Sequence, residues 1–215
     1  MALFREHADV SVRPATAQDE ALIARTQLRA WRASHTGLLG ADVLEHLDVT
    51  AVRAQWSRAI SAPPSREHHV LVACDGARVV GFAACAPVVS APRPADGAPD
   101  ASRGGSPGAA LDGSTTPGSG TATSGSVVEV LALEVDPDHQ RGGHGSRLLA
   151  ACVDLAREGG AAGVQTWVLA DDGPREQFLA SAGLGPDGVV RELGLAPSDD
   201  GGTRAVTESR WVAEI

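Results

Sequence analysis

The chain has no tyrosine, so no step of its chemistry can run through a phenol. Cysteine is scarce: Cys74, Cys85 and Cys152 are the whole supply. Their odd number and the lack of a CxxC spacing argue against a disulfide framework or a zinc site. Each lies in apolar surroundings, so buried reduced thiols are expected. Basic residues are outnumbered, with 18 Lys and Arg against 27 Asp and Glu and a formal net charge of −9. A nucleic-acid binder would show a basic patch or stripe, and none is seen here. The acidity is compatible with a cationic substrate such as an amine, although acidity also simply aids solubility. No uninterrupted apolar stretch is long enough to span a bilayer. The opening MALFREHADV lacks the apolar region of a signal peptide. A cytoplasmic chain without a membrane partner is therefore expected.

What is present is enough apolar material for one substantial domain with its own core, at 43% hydrophobic residues over 215 positions. The chain is organised around Val127 to Glu158. An apolar run, Val127 to Val135, ends at Asp136-Pro137 and has the length and Val/Leu content of a buried strand. Gln140-Arg141-Gly142-Gly143-His144-Gly145 forms a glycine-rich turn. Leu148, Leu149, Cys152, Val153 and Ala156 then recur at helical spacing, and Gly159-Gly160 stops the helix. A helix start carries unpaired N–H groups and the positive end of the dipole, and so favours an anion. Glycines let backbone approach a phosphate without a Cβ in the way. The turn is not a Walker loop, since no Gly-Lys-Ser/Thr follows. Nor is it a dinucleotide fingerprint, because Leu148 stands where the third glycine belongs.

The turn resembles motif A of the GNAT N-acetyltransferases, Gln/Arg-x-x-Gly-x-Gly/Ala, with Gln140, Gly143 and Gly145 in the matching places. Leu133-x-Val135-x-Pro137 leads into it at the usual distance. His144 stands where a small apolar residue is more usual. The resemblance implies that the amides from Gln140 through Arg141, Gly142, Gly143, His144 and Gly145 to Ser146 hold the pyrophosphate of acetyl-CoA.

The rest of the chain supports the same likeness. Val10-Ser11-Val12 reads as a first strand stopped by Pro14, and Thr16-x-x-Asp19 resembles a capping box before a helix. Further helices are suggested around Val43, Leu44 and Leu47, and after Thr50 as a cap. His69 to Ala73 and Arg78 to Ala86 read as strands joined at Asp75-Gly76. From Pro87 to about Gly125 the composition turns to Pro, Gly, Ser, Thr, Ala and Asp, which cannot offset its own ordering entropy. A disordered surface insertion is expected there, with a lid over the acceptor site as the alternative. Val164 to Leu169 is a strand. Asp171-Asp172-Gly173-Pro174 starts a helix that closes at Gly183. That helix is similar to the family's Asn-x-x-Ala-x-x-Phe-Tyr-x-x-x-Gly-Phe, with Asp172, Phe178 and Gly183 in place and Leu179 where tyrosine is usual. Val189 to Leu195 and Ala205 to Val212 make a terminal hairpin.

The expected fold is a single α/β (α+β) GNAT domain over residues 10–215, interrupted at about 90–125, with a mixed, mostly antiparallel sheet flanked by helices. The resemblance implies an acetyl-CoA-dependent N-acetyltransferase in which an amine attacks the thioester directly. Glu129, six positions before Val135, stands at the interval of the family's glutamate base. By alternation Glu129, Leu131, Leu133 and Val135 share one strand face and Glu134, the second choice of base, looks the other way, unless a bulge intervenes. Backbone at Leu133 and Val135 is expected to pair with the pantetheine arm and the thioester, and Asp172 to join the cofactor site. Trp31 and His35 are expected to wall the acceptor site. The expected ligands are acetyl-CoA and a primary amine of a small molecule, peptide or protein. No metal and no nucleic acid are expected, and a homodimer is compatible. Two rivals stay open: a non-catalytic or degenerate acyl-CoA-binding module of the same fold, and an unrelated nucleotide-binding α/β protein.

Overall fold

The computed structural model describes residues 10–39, 44, 47–88, 126–197 and 203–215. The insertion read at about 90–125 and most of the helix read around Val43 to Leu47 lie outside the described residues. The strands are β1 (Val10–Pro14), β2 (His69–Asp75), β3 (Arg78–Pro87), β4 (Val127–Val135), β5 (Gly163–Leu169), β6 (Gly185–Pro197) and β7 (Thr203–Glu214). The helices are α1 (Glu20–Ser34), α2 (Thr36–Leu39), α3 (Val49–Ser61), α4 (His144–Glu158) and α5 (Gly173–Ser181). All seven strands form one sheet in the order β1-β2-β3-β4-β5-β7-β6. Only β4 and β5 run parallel; the other neighbours are antiparallel. The mixed, mostly antiparallel sheet is as expected from the sequence. Among the described residues, no helix is long and apolar enough to cross a membrane.

Period-two alternation divides the sheet into two cores. On one face Leu71, Ala73, Val80, Ala83 and Cys85 pack with Leu148, Leu149 and Cys152 of α4 and Leu179 of α5. On the other, Val72, Cys74 and Phe82 pack with Ile23 and Ala24 of α1 and Trp56 of α3. Trp56 meets Phe82 edge-on with ring centroids 4.9 Å apart, and its indole N–H reaches Gln27 Oε1 at 2.7 Å. The polar end of a buried indole is thereby satisfied. The three cysteines are free and buried. Gly81 lets β3 lie tightly on β4: a Cβ there would sit 2.9 Å from Glu134 O.

Two helix starts differ from their sequence reading. Asp48, not Thr50, caps α3, and its carboxylate accepts from Thr50 N–H at 2.8 Å. Asp19 precedes α1 but makes no side-chain cap bond. It accepts instead from Thr16 N–H (2.7 Å), Thr16 Oγ (2.9 Å) and both terminal nitrogens of Arg13. Its backbone is helical, φ −87° and ψ −14°, and its carboxylate is taken up by Arg13 and Thr16 before the helix.

Candidate active site

The site begins where β4 and β5 part. Their pairing covers only Val127–Gly163, Val128–Val164 and Glu129–Gln165. Thr166 Oγ donates to Val130 O at 2.8 Å and marks the vertex. Beyond it β4 continues against β3 and β5 against β7, leaving an open V between two parallel strands. Asp136 N–H donates to Val80 O at 2.8 Å, so the backbone of Asp136 faces β3. By alternation the N–H and C=O groups of Leu133 and Val135 face the gap. Neither carbonyl is wholly free: Leu133 O accepts from Arg175 Nη2 at 3.0 Å, and Gln140 Nε2 lies 3.5 Å from Val135 O.

The alternation of side chains needs correction. Between the pairs Ala84–Ala132 and Cys85–Val130, β4 holds one extra residue, Leu131. A bulge of this kind reverses the facing of everything after it. Val128, Val130, Leu133 and Val135 therefore point to the α4 side, while Leu131 and Ala132 point to the α1 side. Glu129 and Glu134 alternate with the first set, so both look toward α1. They do not oppose each other, and Glu129 does not share a face with Leu133 and Val135. Glu129 Oε2 accepts from Gln165 Nε2 at 2.5 Å. Glu134 Oε1 accepts from Arg175 Nη2 at 2.8 Å.

At the open end of the V the glycine turn leads into α4. Gly143, at φ +78°, is the N-cap of α4 and has no side chain with which to cap it. The first-turn N–H groups are therefore left to solvent or a ligand. No acidic residue stands in that turn, and Arg141 and Arg147 are exposed beside it. Gly145 is roofed by the Phe178 ring, since a Cβ there would lie 3.6 Å from Phe178 Cε2 and 3.8 Å from Leu133 Cδ2. Turn and gap thus adjoin through Leu133. Gln140 reaches back, with Nε2 3.5 Å from Val135 O. His144 turns its ring inward and is 5% exposed. Burial pushes its imidazole pKa down, against the pull of Asp75. Only its backbone N–H remains for a ligand.

The end of α1 carries Trp31 and leads into His35, the two residues read from sequence as acceptor-site walls. Trp31 sits edge-on to His35, with centroids 6.3 Å apart. His35 is buried, and its Nε2 lies 3.2 Å from Asp172 Oδ2. Asp172 is the N-cap of α5 and accepts from Arg175 N–H at 3.2 Å. Burial pushes its carboxyl up, but the His35 bond, the Arg175 N–H and the Arg175 charge outweigh that and hold it below the usual range. An ionised Asp172 accepts, so His35 Nε2 carries the proton. The Nδ1 of His35 has no partner among the described residues. Asp172, expected from sequence to join the cofactor site, has its carboxylate bonded to His35 and to the first turn of α5. Arg29 ties the same end of α1 to the β4 exit through Asp136 (2.6 Å) and Asp138 (2.8 Å).

Arg175 is the residue the sequence reading missed. Its Nη2 donates to Leu133 O at 3.0 Å as well as to Glu134, so the guanidinium lies across the gap. The signal was a charged residue where the family segment has alanine, three positions after Asp172. Leu179, at the tyrosine position, is 4% exposed within the α4-side core. A cavity of about 420 Å³ lies away from the gap, at the β1–β2 edge and the C-terminal half of α4, lined among others by Val12, Ile60, His69 and Leu155.

A model of the acetyltransferase (GNAT) family matches residues 28–184. Among solved structures, the PaiA N-acetyltransferase of Thermoplasma acidophilum in complex with coenzyme A is similar, with TM-score 0.63, 11% identity, 96% of this chain and 99% of that one covered. A tetramutant of the BH1408 protein of Bacillus halodurans gives TM-score 0.62 at 19% identity, over 86% of this chain and 99% of that one. The yncA structure of Salmonella typhimurium with its cofactor acetyl-CoA gives TM-score 0.55 at 18% identity, over 96% and 94%. At these identities the likeness is one of fold. No curated protein matches the sequence significantly.

Proposed function

This chain belongs to the acetyltransferase (GNAT) family, and from that premise we propose that it transfers an acetyl group from acetyl-CoA to a primary amine of a small molecule or an exposed peptide. The observation that carries the reading is the β4–β5 gap opening beside the uncapped start of α4. An anion-binding helix start and a strand edge with no neighbouring strand are what a pyrophosphate followed by an amide-bearing arm would use.

In this reading the amides from Gly142 to Ser146 bind the pyrophosphate, flanked by Gln140, Arg141 and Arg147. The pantetheine arm enters the gap at Val135 and runs inward, so that the thioester lies near Leu133. The amine arrives from the α1 side, past Trp31 and His35. Its lone pair attacks the carbonyl carbon and the carbonyl π pair moves to oxygen, where the Leu133 N–H can stabilise it. The oxygen pair returns as the C–S bond breaks, and Glu129 takes the amine proton. Glu129 faces the acceptor side, which supports that role. Glu134 is tied to Arg175 and is the weaker candidate. Holding both reactants in one cleft supplies a further large share of the rate.

Acetyl-CoA binding and coenzyme A release in the presence of an amine panel test the proposal together. At ligand near 100 times Kd the protein should gain about 2.7 kcal/mol, a melting rise of about 5–10 °C. A second reading, an acyl-CoA-binding module without turnover, is favoured by Leu179 lying in the core and Arg175 lying in the gap. Melting rise without coenzyme A release from any amine would establish that second reading.

A further inference from the structure

The reaction leaves one charge without an evident partner. When the C–S bond breaks, its electron pair stays on sulfur. The chain has no tyrosine to protonate it, and Leu179 is enclosed by the core. The cation nearest the expected thioester is Arg175. Its Nη2 is 3.0 Å from Leu133 O, on the same side of β4 as the Leu133 N–H. Glu134 at 2.8 Å and Asp172 at 3.6 Å hold its Nη2 and Nε edges. Its Nη1 makes no hydrogen bond among the described residues. Of the five donors, the two on Nη2 are taken by Glu134 and Leu133 and Nε–H faces Asp172, which leaves the two on Nη1 for an anion.

We propose that Arg175 is a catalytic residue of this transferase, whose free Nη1 donors receive the coenzyme A thiolate as it departs. The inference rests on the acetyl-CoA reading above. Two features of the fold put the sulfur in reach. The pyrophosphate site lies at the mouth of the V and the arm runs inward past Val135, so the acyl end falls at Leu133, where Arg175 is anchored. The first turn of α5 also fixes the arginine, because Asp172 caps that turn and binds the Arg175 N–H. In the step itself the C–N bond forms, the C–S bond breaks, the amine proton goes to Glu129, and sulfur leaves as a thiolate paired with guanidinium. It takes a proton from water after release. A guanidinium stays charged throughout the working pH range, so it stabilises the leaving group without itself exchanging a proton. It replaces general acid catalysis by electrostatic stabilisation. Glu134 and Asp172 weaken the field on the sulfur, but they also keep the side chain in one place. The geometry asks for orientation more than for excess charge.

The test is the ionisation of bound coenzyme A, read from the ultraviolet absorbance of its thiolate. On the unaltered protein the thiol should titrate at least tenfold more readily than in free coenzyme A. Arg175→Lys should keep part of that displacement, and Arg175→Met should abolish it while neutral-pH affinity for desulfo-coenzyme A stays within threefold. An identical titration in the unaltered protein and a folded Met variant overturns the proposal. If the Met variant does not fold, the unaltered protein still decides: the affinity ratio of coenzyme A over desulfo-coenzyme A should rise as pH increases through the thiol range, and a flat ratio overturns the proposal. Failure of the unaltered protein to bind either compound is a different result, since it defeats the acetyl-CoA reading itself.

Discussion

Glu129 faces Gln165 at the last residue pair that β4 and β5 share, and the two side chains are joined by a 2.5 Å hydrogen bond. The bond fixes the carboxylate at the vertex of the V, on the α1 side. Glu129→Gln keeps the shape and can still accept from Gln165 Nε2, so the fold should be unaffected. The variant loses only proton acceptance, and kcat should fall by ~10²–10⁴. Coenzyme A affinity should hardly change. Steady-state kinetics with isothermal titration check both. Turnover within twofold of the unaltered protein at neutral pH would move the base to Glu134 or to the substrate amine.

Gly145 offers a separate test of the cofactor site. A Cβ there meets Phe178 and Leu133 at 3.6 and 3.8 Å, which is ordinary contact. Gly145→Ala should therefore fold and melt like the parent. Gly145→Glu adds a charge and bulk against Phe178 and Leu133, within the proposed pyrophosphate site. It should abolish the ~5–10 °C melting rise expected with saturating acetyl-CoA. A retained rise in the Glu variant would move the pyrophosphate away from this turn.

The strand–turn–helix at the centre of the site is legible in sequence because each part has a local cause. The apolar run, the glycines and the helical spacing all follow from near neighbours. The strands and the last helix are legible for the same reason. What is hidden depends on the partner strand. Val127 to Val135 reads as continuous apolar alternation, and nothing in it marks Leu131 as the extra residue against β3. The facing of Glu129 could not be had without the register. Arg175 is hidden for a related reason: its contacts are with Leu133 and Glu134, some forty positions earlier in the chain. The α3 cap was misread because Asp48 and Thr50 are both good caps, and only backbone geometry separates them.

Asp19 should make stability depend on acid. The Arg13 guanidinium and the Thr16 hydrogen bonds outweigh burial and lower its carboxyl from 3.8 to about 2. A carboxyl depressed in the folded state contributes stability that is complete above its unfolded value. That contribution is lost as pH falls from about 4 towards about 2. Arg13 is 42% exposed, so screening reduces the effect. Asp19→Asn should cost on the order of 1–2 kcal/mol at neutral pH and nothing below the lower value. Urea midpoints across that range measure it. A constant difference at all pH values would show that the aspartate acts by shape and not by charge.

The insertion can be tested because its two ends meet. Val88 N–H donates to Val127 O at 2.8 Å, and Pro87 is in register with Val128. β3 and β4 are thus already a closed antiparallel pair at the point where the insertion leaves and returns. A short Gly/Ser linker in place of Pro92 to Ser124 has little distance to span. Loop length enters the closure entropy only logarithmically, so the change should be of order ~1 kcal/mol. At roughly 2–4 °C per kcal/mol the melting temperature should move by no more than about 4 °C, in either direction. Calorimetry of the shortened protein, followed by acetyl-CoA binding and coenzyme A release, separates three outcomes. Unchanged melting and turnover mean that the domain is complete without the segment. Lost cooperativity means that the segment packs on the core. Intact melting and cofactor binding with lost turnover would support the reading of the segment as a lid over the proposed acceptor site.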